Sequence, residues 1–382
     1  FSFMNYLTNL KFLCIRKKEL KMLKIKKFIM MFIIFLIIGC WKADEKVIPY
    51  DIIDIKEIES SYNSPWIYYA KGEKIYSFNI IKPIIVLNIS SGITREIGKL
   101  GFGPDRYKIP SWITEYYGNI YVGDKTTGRL LIFDTLGNFI KDAGIHSIRE
   151  KFVFCNETLL IIKNPTLIDN YFILYDLKND KQIISFGNVI EYPIKKHRLK
   201  LTNEGKWQPY YTEWDAMDSI LVQYDYYNDK FIVYNIYNGK VIKRFGKKHN
   251  GWSVPRVIFF EGDKYHEKRF VVAMTPCRSL VITNNYIYFI VMKLWKYKWF
   301  SRGFYSKHKE KKIFSSNFLL VDVYSRNYEY VGSFYPLNIH QFRGDEVLRL
   351  DFVSAENDTI LNFYLQSNDG TFFKRVSVKV KL

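Results

Sequence analysis

Cysteine is scarce in this chain and never closely paired. Four occur in 382 residues: Cys14, Cys40, Cys155 and Cys277. With no CxxC pair there is no cysteine-based zinc site and no thioredoxin-like redox motif, and so few cysteines exclude a disulfide-built scaffold. Histidine is equally unhelpful to a metal: His146, His197, His249, His266, His308 and His340 form no HxH, HExxH or HxxxH spacing. A GxSxG nucleophile elbow, a P-loop and a GxGxxG in strand–helix context are missing. The run DYYND (225–229) is too short for an EF-hand loop. Proline and glycine are also few, at 11 and 21, while 48% of residues are hydrophobic and 18% aromatic. That balance excludes a disordered tail and a collagen-like fibre, and leaves a chain able to bury a large core.

Negative charge is in short supply. Against 57 Lys and Arg stand 38 Asp and Glu, a net charge of +19. Part of this excess sits at the start, where Lys24, Lys26 and Lys27 precede the unbroken apolar run 28–38. The run falls short of the roughly 20 residues a spanning helix needs, but it suits the h-region of a signal peptide with Met22 as its start. It ends Leu36, Ile37, Ile38, Gly39, Cys40. This order resembles the lipobox of bacterial lipoprotein signal peptides, which implies that Cys40 is lipidated and becomes the mature N-terminus. The expected organisation is a leader and upstream extension over 1–39, a lipidated tether over 40–47 and one folded unit over 48–382. Cys155 and Cys277 are then the cysteines of that unit, read as two buried free thiols, with a disulfide between them the alternative that an oxidising envelope permits.

After the leader a strand-rich unit recurs every roughly 40–70 residues. The copies read IIVLNISSGITREIG (84–98), LLIFDTLGNFIKDAG (130–144), FILYDLKNDKQIISFG (172–187), FIVYNIYNGKVIKRFG (231–246) and FLLVDVYSRNYEYVGSF (318–334). A strand precedes each turn-bearing pair: KIYSF (74–78), NIYVGD (119–124), TLLII (158–162), SILVQY (219–224), YIYFIV (286–291) and, for a sixth copy, TILNFY (359–364). Many of these runs are apolar throughout, as strands stacked on both faces would be. Asn238–Gly239 reads as a two-residue hairpin turn. Six such units predict an all-β fold, a six-bladed β-propeller with four-stranded blades. The last copy lacks an outer strand, whereas VIPYDIIDIKEI (47–58) is a strand with no partner of its own. The expectation is that 47–58 closes the ring by pairing with the final blade, hiding two edges at once.

The segment 98–140 carries a family resemblance. It holds Gly101, Phe102, Gly103, Pro104, Asp105, Arg106, Tyr107 and then Pro110. This turn resembles the G-x-G-P-[GD]-[EDR]-[FY] blade crossing of bacterial six-bladed propeller lipoproteins, within the NHL/TolB-like propellers. The resemblance implies the fold and lipoprotein status, with Gly101, Gly103, Pro104 and Asp105 as a structural turn between blades. It transfers no catalytic residue.

One insertion stands out. Between the fifth preceding strand and its turn lies KLWKYKWFSRGFYSKHKEKK (293–312), where basic residues interleave with aromatics and Glu310 is the sole acid. Trp295, Tyr297, Trp299, Phe300 and Arg302 are the expected ligand-binding residues of this segment, since aromatic faces stack on rings and cations attract anions. The preferred function is therefore a lipid-anchored, monomeric binding module of the cell envelope. Its partner is a protein or an anionic glycan, with the membrane held through the anchor and no nucleic acid involved. No cofactor is expected. The alternative is a metal-dependent propeller enzyme, hydrolase- or lactonase-like, with a channel metal such as calcium. Its catalytic and metal residues would be dispersed and are not identifiable from the chain.

Overall fold

The computed structural model describes residues 46–60, 66–79, 81–163, 170–188, 213–225, 230–247, 257–260, 269–272, 277–292, 319–336, 342–343, 346–367 and 369–382. Among these every regular element is a strand; most strands form six four-stranded antiparallel blades, and the rest pair as three short two-stranded sheets. Blade one holds Trp66–Lys71, Lys74–Asn79, Lys82–Asn88 and Thr94–Ile97, and blade two Pro110–Tyr116, Asn119–Asp124, Leu130–Asp134 and Phe139–Asp142. Blade three holds Phe152–Phe154, Leu159–Lys163, Asn170–Asp176 and Lys181–Asn188, and blade four Trp214–Met217, Ile220–Asp225, Lys230–Asn235 and Val241–Phe245. Blade five holds Cys277–Ile282, Tyr286–Met292, Leu319–Ser325 and Tyr330–Phe334. Blade six is built from Arg349–Ala355, Ile360–Gln366, Phe372–Val380 and, from the other end of the chain, Tyr50–Glu59.

The apolar runs are explained by burial on both faces. In blade two, Ile120 and Val122 pack toward blade one, while Tyr121 between them packs toward blade three. Blade five repeats the parity: Ile287 and Phe289 pack against blade four, Tyr288 and Ile290 against blade six. Six core clusters result, one for each blade–blade junction including that of blade six with blade one. Each large side chain buried this way stabilises the fold by about 1.5–3 kcal/mol. First strands of neighbouring blades run beside one another, which puts them around the centre of the ring.

The predicted closure is observed. Tyr50–Glu59 pairs antiparallel with Phe372–Val380, from Tyr50 opposite Val380 to Glu59 opposite Phe372. Ion pairs reinforce the seam: Lys374 with Glu57 at 2.6 Å and Lys381 with Asp51 at 2.8 Å. Arg375 is 8% exposed and reaches further, pairing with Asp54 of the closing strand and with Glu73 in the first turn of blade one at 2.5 Å.

The turns after the third strands share one device. Asn88, Asp134, Asp176 and Asn235 end those strands, and each side-chain oxygen accepts the N–H groups of following turn residues at about 2.9 Å. This corrects the reading of Asn238–Gly239 as a two-residue turn. Asn235 starts the turn earlier by capturing the N–H groups of Tyr237 and Asn238, so the loop spans 236–240 and within it only Gly239 takes positive φ, at 68°.

Candidate binding site on the ring axis

The first strands bring together residues from blades that do not neighbour each other. Trp112 of blade two lies with its ring centroid 6.4 Å from that of Phe352 in blade six, although blade one separates them in the ring. Tyr69 of blade one meets the same Phe352 edge-on at 5.6 Å. The Lys151 ammonium, just before blade three, stands 5.4 Å from the ring centroids of both Trp112 and Trp214, and donates to the Trp214 carbonyl oxygen. Contacts that skip a blade can only form near the axis. Trp214 is buried, but Tyr69, Trp112, Lys151 and Phe352 are half-buried. Partial exposure at the centre of a ring means that these groups face a central space.

A local backbone irregularity aims the aromatics. The strand register shifts between Ile67 and Tyr69, between Pro110 and Trp112, and between Leu350 and Phe352. Tyr69, Trp112 and Phe352 are thus the first paired residues after a β-bulge in three blades, and a fourth such bulge in blade five precedes Ser279. Bulges bend the strand and re-aim the side chain that follows.

The acids near this centre are engaged. Asp351 pairs with Arg349 and accepts the Ile67 N–H across the blade six–blade one junction at 3.3 Å. Glu115 accepts hydrogen bonds from Tyr76 and from Lys74 at 2.9 Å. Burial pushes the Glu115 carboxyl up, but those two donors outweigh it and hold it below the usual range. Asp215 accepts the Ile282 N–H of blade five at 3.1 Å. Burial raises its carboxyl against the opposing pull of Lys151 and that N–H. Burial likewise pushes the Tyr69 hydroxyl to about 12. Cys155 is a free thiol raised to about 12 by burial and by Asp215 and Asp218, so it is not a thiolate nucleophile at neutral pH. Among the described residues no three His, Cys, Asp or Glu side chains converge as a metal-binding group.

Cys40 and the segment bearing Trp295, Tyr297, Trp299, Phe300 and Arg302 lie outside the described residues. Gly101, Gly103, Pro104 and Asp105 lie between the outer strand of blade one and the first strand of blade two. Gly101 and Gly103 have φ of 124° and 146°, backbone that L side chains rarely adopt. Arg129, from the second-to-third-strand loop of blade two, donates to the carbonyls of Gly103 and Arg106 and pins the crossing. The Tyr107 hydroxyl, at the end of the motif, accepts the Ile84 N–H at 2.6 Å and donates to the Ile97 carbonyl at 2.5 Å, tying the crossing to blade one. The axial group was missed from sequence because the first strands are short and their bulges leave no periodic signal. The Trp112 and Trp214 positions within otherwise unassigned strands were the one trace.

No protein-family model and no curated protein matches the chain. Solved structures do. A member of the DUF4221 family from Bacteroides vulgatus is 12% identical with a TM-score of 0.56, covering 88% of this chain and 99% of that one. A protein described as exported, from Bacteroides fragilis, is 11% identical with a TM-score of 0.51, covering 87% of this chain and 96% of that one. At these identities the likeness is one of fold, and the chain shares with both the architecture of its ring.

Proposed function

We propose that the protein is an exported, lipid-anchored six-bladed propeller that acts as a binding module, with its ligand contact at the ring axis. One observation carries this reading: half-exposed aromatic rings and a lysine from blades six, one, two and three meet where only axial groups can meet. Ligand sites are commonly such apolar surfaces with a few placed polar groups. The likeness to a protein described as exported supports the export reading, as does the order of Lys24–Lys27, the apolar run and Cys40. The basic, aromatic segment 293–312 belongs to the connection between the second and third strands of blade five. Its interleaved basic and aromatic residues support reading it as a second contact for a protein or glycan partner.

Replacing Trp112 and Phe352 together by alanine, and measuring binding of the full chain to purified envelope glycans and proteins, tests the axial reading. Loss of binding with the fold intact is expected; binding equal to the unaltered protein overturns it. Labelling with a radioactive fatty acid tests the anchor, which Cys40→Ser should abolish.

A further inference from the structure

The axial cluster also defines a class of ligand, an inference that rests on reading the cluster as the binding site. Trp112, Phe352 and Tyr69 make a contiguous aromatic wall of tilted rings, with centroid separations of 6.4 and 5.6 Å and planes inclined by 46° and 69°. All three are half-buried, so their faces are only partly used by the fold. Aromatic rings grouped in this way offer apolar surface to the face of a six-membered ring. Over the Trp112 ring stands the Lys151 ammonium, 5.4 Å from its centroid. An ammonium has three donors, and the Trp214 carbonyl accepts one of them. The carboxylates around the wall are directed elsewhere: Asp351 to Arg349 and the Ile67 N–H, Glu115 to Lys74 and Tyr76, Asp215 to the Ile282 N–H. Asp215, the acid that opposes Lys151, is also pushed by burial toward its protonated form.

We infer that the axial site takes a six-membered ring carrying one carboxylate, with the ring packed against Trp112 and Phe352 and the carboxylate on Lys151. A uronic acid and an aryl carboxylate share this chemistry, and the probes separate them. Digalacturonate, neutral digalactose and benzoate are titrated into the full chain by calorimetry, with tryptophan fluorescence recorded in parallel. At least one acidic probe is expected to bind about tenfold or more tightly than digalactose, as one charge-assisted hydrogen bond implies. Lys151→Met should remove that preference, Lys151→Arg should keep it, and Trp112→Ala should weaken every probe. Thermal melting of each variant checks the fold. Should Lys151→Met not fold, Lys151→Arg decides alone, and loss of acid preference there overturns the assignment of the carboxylate to this position. Equal binding of neutral and acidic sugars, lost in Trp112→Ala, overturns the acid class while leaving an axial binding site. Acid binding untouched by either Lys151→Met or Trp112→Ala overturns both. No response to any probe overturns the ring-carboxylate class and leaves a protein partner at the axis.

Discussion

Neighbouring residues of one strand show how the blade junctions differ from the ring centre. Ile113 of blade two is fully buried in the junction with blade one, whereas Trp112 beside it is half-open at the axis. Val353 and Phe352 of blade six repeat the contrast, the first buried in the junction with blade five and the second touching Tyr69 and Trp112. The same short strands therefore do two jobs. Their pleat closes the junctions by alternation, and in four of the six blades a bulge precedes a partly exposed side chain near the centre. Stability should respond to the junctions, and ligand binding to the centre.

Removing the closing strand is the strongest way to separate the two. Deleting 47–58 exposes the edge of Phe372–Val380 and strips Arg375 and Lys374 of Asp54 and Glu57. Cooperative thermal unfolding should be lost, and an unchanged melting temperature would refute the closure as a stabilising element. Next in size is a matched pair. Phe289 is fully buried between blades four and five, so Phe289→Ala should cost about 3–5 kcal/mol. Trp112→Ala, at the half-open centre, should cost under about 1.5 kcal/mol while weakening axial binding. Denaturant titration of both variants checks the order, and equal losses would erase the distinction between junction and centre.

Tyr107→Phe gives a smaller effect that belongs to the junction side. The hydroxyl serves the Ile84 N–H and the Ile97 carbonyl in a buried setting, and removing it should cost about 1–3 kcal/mol. No change in binding is expected, and urea unfolding with a binding titration reads both. The smallest effect is at the centre. Burial raises the Asp215 carboxyl, so the folded state holds this proton more tightly than the unfolded chain. The stability linked to it is greatest in acid and falls as pH rises from the ordinary carboxylate range through the raised folded value. Asp215→Asn keeps an oxygen for the Ile282 N–H and removes that fall. The two proteins should melt alike near pH 4, and the variant should gain relative to the parent toward pH 7. A constant difference across melts from pH 4 to 8 would show that Asp215 does not titrate in this way.

The fold was legible because blade strands two to four are long, apolar and punctuated. LLIFDTLGNFIKD shows a strand, an Asp-led turn closed by Gly137 and another strand in thirteen letters. The fourth strand of blade six was legible by subtraction, since 47–58 had no partner and the last repeat had one strand too few. The axial site was not. Phe152–Phe154 and Trp214–Met217 are too short to show a period, and a bulge breaks the alternation at the very residue that matters. Which side chains meet at the centre depends on how six blades arrange around one axis, a long-range fact with no local letter pattern. The sequence instead drew attention to the conspicuous 293–312 segment, whose aromatics are continuous along the chain.

The pairing of Tyr50–Glu59 with Phe372–Val380 also sets an order in time. The strand that completes blade six leads all the other blade strands in chain order, so it leaves the ribosome before any blade exists to receive it. Five blades can pair within themselves as they emerge, but the sixth must wait for the end of synthesis. Until then the ring is an open chain with a bare strand at each end. Those two bare edges persist until the last residues are made, so the unfinished ring is the form most open to edge-to-edge association.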